Sequence, residues 1–255
     1  MKIMLNIILV CFLGLQVPTI FADTIDISGA VWCPNNCYPN KKRPGIMLEI
    51  AQKALRKQGY EITYNEIAWS RAIIETKQGN FDALIGSSKI DAPDFVYPKE
   101  PVAIARNCFF TLNDNKWNYS KITSLSEVEL GVGQDETVSK EIEMYIAKYK
   151  ETRRVSILSG TDYMSRLLLM LRKKRISAII ADVNVFNYLL KNTGESKSVK
   201  NAGCVGLPLK IYLAFSPHKY SASSNIIRLF DEGVKKLRRS GEFELILEKY
   251  GTEPW

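Results

Sequence analysis

Two kinds of hydrophobic pattern alternate along this chain. Short apolar or alternating runs predict strands at about 24–31, 60–67, 81–85, 108–112, 130–133, 176–180 and 210–215. Between them, apolar residues recur at three- and four-residue spacing, which predicts helices. In GIMLEIAQKALRKQG, residues Ile46, Ile50, Ala51, Ala54 and Leu55 share one face, Pro44-Gly45 opens the helix and Gly59 stops it. Further helices are expected at about 70–78, from about 138, at 166–174 and 183–191, at 224–239, and from Gly241 to Tyr250. Strand and helix in turn argue for an α/β fold with parallel sheets covered on both faces.

One strand unit recurs. NFDALIGS (80–87) aligns without gaps on RISAIIAD (175–182). In each, a helix ends in turn or basic residues, an apolar strand follows, and the strand ends in a polar group, Ser87 or Asp182. Ligands of open α/β sheets collect beyond the C-terminal ends of the strands. Two such units predict two lobes whose ligand-presenting edges face one cleft. Strand 108–112 with the polar segment 113–119 marks the crossing into the second lobe, and 210–215 begins the return.

The N-terminus reads as an address. Residues 1–22 carry Lys2, an apolar run from Ile7 to Leu15, a break at Pro18 and a small residue at Ala22. This is the layout of a cleaved signal peptide, and the run is too short for a span of ~20 residues. Cys11 lies inside the apolar run and does not end it, so a lipoprotein cysteine is not expected. Export makes disulfides available to Cys33, Cys37, Cys108 and Cys204. A local staple between Cys33 and Cys37 is the first expectation, which leaves Cys108 and Cys204 to close a long loop. Three connectivities remain open at this level.

Composition and charge narrow the function. The 255 residues are 46% hydrophobic and 24% charged, with 35 Lys+Arg against 27 Asp+Glu, a formal charge of +8. That composition excludes a disordered or fibrous chain. Loss of residues 1–22 removes Lys2 and no acid, so the mature charge is +7. The basic clusters Arg172-Lys173-Lys174-Arg175 and Lys235, Lys236, Arg238, Arg239 fall at expected helix C-termini, where cations favour the helix dipole. No nucleic-acid reader motif accompanies them, so no nucleic-acid partner is expected. A single histidine, His218, argues against histidine-based zinc sites and a Cys-His dyad. GVGQDE (131–136) lacks the last glycine of a dinucleotide fingerprint, and neither a phosphate-binding loop nor a G-x-S-x-G elbow is present. No cofactor or metal is implied.

Five segments, in order, resemble the periplasmic solute-binding proteins of ABC importers, specifically the polar amino-acid family, family 3. They are PGIMLEIAQKALRKQG; AWSRAIIETKQGNFDALIGSS; CFFTLND with SLSEVELGVGQDET; LRKKRISAIIADVNVFNYLLKN; and IIRLFDEGVKKLRRSGEFELILEKYG. The resemblance covers essentially the whole mature chain. It implies a type II binding-protein fold of two α/β lobes joined by two crossing strands, with lobe one at 23–107 and 210–255 and lobe two at 108–209. It further implies a monomeric periplasmic protein that captures a small polar or amine-bearing, amino-acid-like solute and serves an ABC permease. The alternatives are a sensor subunit with the same clamp signalling to a receptor, or a small dehydratase with a carboxylate acid such as Glu100, Glu136 or Asp182.

Residue by residue, the resemblance assigns Ser87 and Ser88 to a ligand carboxylate, Thr137 to the start of a lobe-two helix where N–H groups suit an anion, and Asp182 to a ligand amine. Asp182 is equally placed to cap the helix that follows it. The family's carboxylate-gripping arginine has no counterpart: SSKIDAPDFVYP puts that position near Phe95. Arg71 or Arg106 is left to supply the cation. Asp135-Glu136 adds negative charge before Thr137 where the family has glycine. Trp32 and Trp69, and more weakly Tyr38, follow strands and are the aromatic platforms for a cationic or apolar group.

Overall fold

A computed structural model describes residues 23–37, 42–134, 136–160 and 162–255. Residues 1–22, where the sequence predicts a signal peptide and which include Cys11, lie outside the described residues, as do Tyr38 and Asp135. The first part of the chain runs β1 (Asp23–Gly29), α1 (Ile46–Arg56), β2 (Tyr60–Glu66), α2 (Trp69–Lys77), β3 (Ala83–Ser87) and β4 (Ala103–Ala105). The middle runs β5 (Asn107–Leu112), β6 (Leu130–Gly133), α3 (Lys140–Tyr149), β7 (Val155–Leu158), α4 (Tyr163–Arg172), β8 (Ala178–Asp182), α5 (Val183–Thr193) and β9 (Val199–Cys204). The last part is β10 (Leu209–Phe215), α6 (Tyr220–Ser240) and α7 (Glu242–Tyr250).

Two five-stranded sheets result, ordered β2-β1-β3-β10-β4 and β7-β6-β8-β5-β9. In each, three parallel strands are followed by an antiparallel one: β10 against β3, and β5 against β8. The two aligned segments therefore hold the same place, since β3 and β8 are the central strands and Ser87 and Asp182 are their last residues. Short strands β4, β7 and β9, each only 3 to 6 residues long, carry too little periodicity to be read from the sequence. Strand β5 pairs only within the second sheet, so the chain changes sheets at Arg106 rather than in 113–119. It returns through 205–208, and β10 lies wholly in the first sheet.

One core joins the first sheet to α1, α6 and α7, through Ile27, Ile50, Leu55, Leu213, Phe230, Phe243 and their neighbours. The second sheet is covered on both faces, by clusters around Phe110 and Phe186 and around Phe109 and Ile180. Both disulfides form, Cys33–Cys37 and Cys108–Cys204. The second joins cross-strand neighbours on β5 and β9, which fixes a pairing that spacing left open. The Cys33–Cys37 loop caps α1 with its backbone: Ile46 N–H donates to Pro34 O and Met47 N–H to Asn35 O. Gly45 is required there, because it has φ +117° and a Cβ would lie 2.4 Å from Asn35 O. Helix α1 stops at Arg56 with Lys57 as its cap, so Gly59 serves the turn beyond rather than the cap itself. The basic clusters fall at the ends of α4 and α6. Arg172 pairs with Glu195, and the Arg238 guanidinium lies over Phe243 and Trp255.

Helices α1 and α6 touch backbone to side at Gly233, where a Cβ would come 2.3 Å from Ala54 O. Alanine in an open helix stabilises by up to ~1 kcal/mol over glycine, but here the overlap reverses the sign. Gly233→Ala is expected to destabilise by about 1–3 kcal/mol, read as a lower Tm in thermal unfolding. An unchanged or higher Tm would mean the helices separate freely.

Candidate functional site

Between the lobes lies a cavity of about 1030 Å³. Its walls are the segments that follow the parallel strands. Ala30–Trp32 follow β1 and Glu66–Trp69 run on from the last residue of β2; on the opposite side Gln134 and Glu136–Lys140 follow β6 and Leu158–Gly160 run on from the last residue of β7. Residues beside the two crossings, Ala105, Asn107 and Val205–Leu207, form the floor. This is where open α/β sheets bind ligands.

Of the seven ligand contacts expected from the sequence, the structure brings three to this cavity: Trp32, Trp69 and Thr137. Trp32 also packs against cores of both lobes, and Trp69 starts α2 while packing against the Ala72–Leu84 cluster. The other four do not line it. Arg71 points outward with its side chain 72% exposed, and meets Glu75 at 3.5 Å. Arg106, the other cation considered, is exposed at the crossing and is not a lining residue. Phe95, where the resemblance expects an arginine, is buried against Ala72, Leu84 and Ala214.

Ser87 is fully buried, with its hydroxyl on Ser88 O and Tyr97 Oη. Ser88 is committed to a turn. Its N–H and hydroxyl both donate to Asp91 Oδ2, at 2.9 and 2.6 Å, while Ile90 N–H and Asp91 N–H donate to its Oγ. This reciprocal S-x-x-D arrangement is a capping box on a single turn.

Asp182 is 1% exposed and caps α5, its Oδ1 accepting from Asn184 N–H and Val185 N–H and its Oδ2 from Arg106 N–H. Burial pushes its carboxyl up to about 6, against the lowering effect of those three donors. Of the three carboxylates considered as an acid, Glu100 pairs with Arg238 and Asp182 caps, and only Glu136 is in the cavity, accepting from Tyr163 Oη.

Sequence reasoning missed Asp91, Glu66 and Glu143, which line the cavity with Glu136. Asp91 was legible as the fourth residue of S-x-x-D. Its second oxygen, Oδ1, accepts from Thr137 Oγ across the cleft at 2.7 Å, so it ties the lobes together. Lys140 is the one basic side chain among the described lining residues. Asn36, 1% exposed and lining the cavity, leaves Oδ1 without a hydrogen-bond partner, as does the Ser139 hydroxyl.

The profile of the bacterial extracellular solute-binding proteins, family 3, matches residues 28–253. The chain belongs to that family. It is a solute-binding protein of two lobes on the type II fold, and among the described residues no helix is long and apolar enough to cross a membrane. A probable histidine-binding protein of Campylobacter jejuni is 22% identical over 228 residues, covering 86% of this chain and 81% of that protein. A histidine kinase sensor domain with similarity to periplasmic binding proteins superposes with a TM-score of 0.70 at 18% identity, over 92% of this chain and 99% of that one. An ancestral arginine-binding protein bound to arginine gives 0.67 at 17% identity, over 91% and 99%. At these identities the structures show a shared fold.

The raised Asp182 value has a measurable consequence. The folded value lies above the unfolded one, so between about pH 4 and pH 6 the folded chain holds the extra proton, and stability falls as pH rises through that window. The full effect is on the order of 2–3 kcal/mol. Asp182→Asn keeps a competent helix cap and is expected to flatten this part of the profile in denaturant unfolding at pH 4, 5 and 6. An identical slope in the variant would place the titration elsewhere.

Proposed function

We propose that this protein is secreted through a cleaved signal peptide to the periplasm, where as a monomer it captures a small amine-bearing, amino-acid-like solute and delivers it to an ABC permease, without turning it over. The observation that carries this reading is the charge of the cavity. Four carboxylates, Glu66, Asp91, Glu136 and Glu143, face one lysine, in a chain whose overall charge is +8. A cleft of sign opposite to its own protein concentrates cations. Trp32 and Trp69 add faces on which a cationic or apolar group gains about 0.5–2 kcal/mol. Thr137 contributes its hydroxyl from the second lobe. The names of the histidine-binding relative and the arginine-bound neighbour, both of nitrogen-rich side chains, agree with a cationic guest.

In this reading the lobes, 23–107 with 210–255 and 108–209, hinge at Ala105–Asn107 and at 205–208 and close on the solute. Ser87, Ser88 and Asp182 then act from behind the cavity wall, through the turns and caps that hold the lining in place, rather than by touching the guest, and Arg71 stays in solvent.

A thermal-shift panel of amino acids, polyamines, short peptides and organic acids tests this. A ligand at 100 times its Kd stabilises by about 2.7 kcal/mol, worth roughly 5–10 °C at this size. Trp69→Ala is expected to shrink the shift of a cationic hit, by up to about two thirds for a contact of about 2 kcal/mol, whereas Lys236→Ala, on the exposed face of α6, leaves it intact. A panel in which only anionic compounds shift the Tm would sink the proposal, and chemical conversion of a hit would reassign the protein as an enzyme.

A further inference from the structure

We infer that the guest is a cationic amine without a carboxylate group, because Asp91 already occupies the place where a guest carboxylate would be held. This inference rests on the proposed function above and narrows its substrate class.

A site for a carboxylate needs converging donors, or a cation that can grip both oxygens. On the first-lobe side of the cavity the converging donors are the Ser88 N–H and hydroxyl, and both end on Asp91 Oδ2. On the second-lobe side Thr137, ahead of α3, presents its hydroxyl, and this ends on Asp91 Oδ1 at 2.7 Å. The carbonyl of Thr137 is in turn held by Asn107 Nδ2 at 2.6 Å, so its position is set from the crossing strand. One protein carboxylate thus takes the Ser88 and Thr137 donors, which leaves Lys140 as the one basic side chain among the described lining residues.

No arginine lines the cavity among the described residues. A second carboxylate brought beside Asp91 would meet like charge there and from Glu66, Glu136 and Glu143, in a partly enclosed space where screening by water is reduced. The unpaired groups of the wall, Asn36 Oδ1 and the Ser139 hydroxyl, can both accept from a donor-rich guest. Asn36, buried and part of the wall, has an Oδ1 with no partner, and an ammonium brings three N–H donors. The apolar rim residues Ile90 and Leu207, 68% and 87% exposed, are available to cover an alkyl or aromatic body as the lobes close.

Matched pairs that differ only in the carboxylate test this: histidine and histamine, arginine and agmatine, lysine and cadaverine. Titration calorimetry on the mature protein is expected to show at least one amine bound tenfold or more tightly than its amino acid. Asp91→Asn removes the charge while keeping side-chain size and an oxygen for the Ser88 donors, and is expected to cut that preference at least tenfold. Lys236→Ala, on the exposed face of α6, leaves the cavity untouched and is expected to keep the preference. Circular dichroism and the ligand-free Tm establish that each variant is folded.

An amino acid bound as tightly as its amine in the wild type would overturn the inference and leave the solute-binding reading standing, as would an amine preference that Asp91→Asn leaves unchanged. If none of the six compounds binds, the amine reading itself falls, and this inference with it.

Discussion

Parallel strands joined by crossover helices must all end on the same side of their sheet, because each helix carries the chain back to the start. Here that constraint acts twice. β1, β2 and β3 end toward the second lobe, and the segments after β6 and β7 lie across from them. Strand ends leave backbone and turn groups that need polar partners. Two such sets facing each other produce a cleft in which a few polar groups are set among apolar walls. The cavity is therefore a consequence of topology before any individual side chain is considered.

What individual side chains decide is which groups stay available inside that cleft. Ser87, Ser88 and Asp182 are polar residues at the tips of the central strands, yet each is consumed locally. Ser87 meets Tyr97, Ser88 closes a turn with Asp91, and Asp182 caps α5. A buried polar group left unpaired costs about 1–3 kcal/mol, so a nearby backbone donor captures it even at a position suited to a ligand. Asp91 is different because it is satisfied from both lobes. Its bond to Thr137 spans the cleft.

The cysteines show the same division at the level of the scaffold. Cys108–Cys204 staples β5 to β9, the strands next to the two crossings, and so holds the entrance and exit of the second lobe in register. The Cys33–Cys37 loop supplies the carbonyls that begin α1, and its neighbour Trp32 reaches the cores of both lobes. Stapled strands beside the crossings and an aromatic shared by both cores set how the two lobes face each other.

The amino-acid pattern alone determined the α/β alternation, the repeat of β3 in β8, the helix spans to within a few residues and the signal-like start, because periodicity and turn chemistry are local. It also carried S-x-x-D, a local signal whose meaning lay across the cleft. The tertiary structure decided the disulfide pairing, the crossing at Arg106 and the short strands, which depend on partners distant in sequence. It alone decided that Trp32, Trp69 and Thr137 reach the cavity while Arg71 faces solvent and Asp182 faces its own helix. Which way a side chain turns is set by competition among neighbours brought together only when the chain folds.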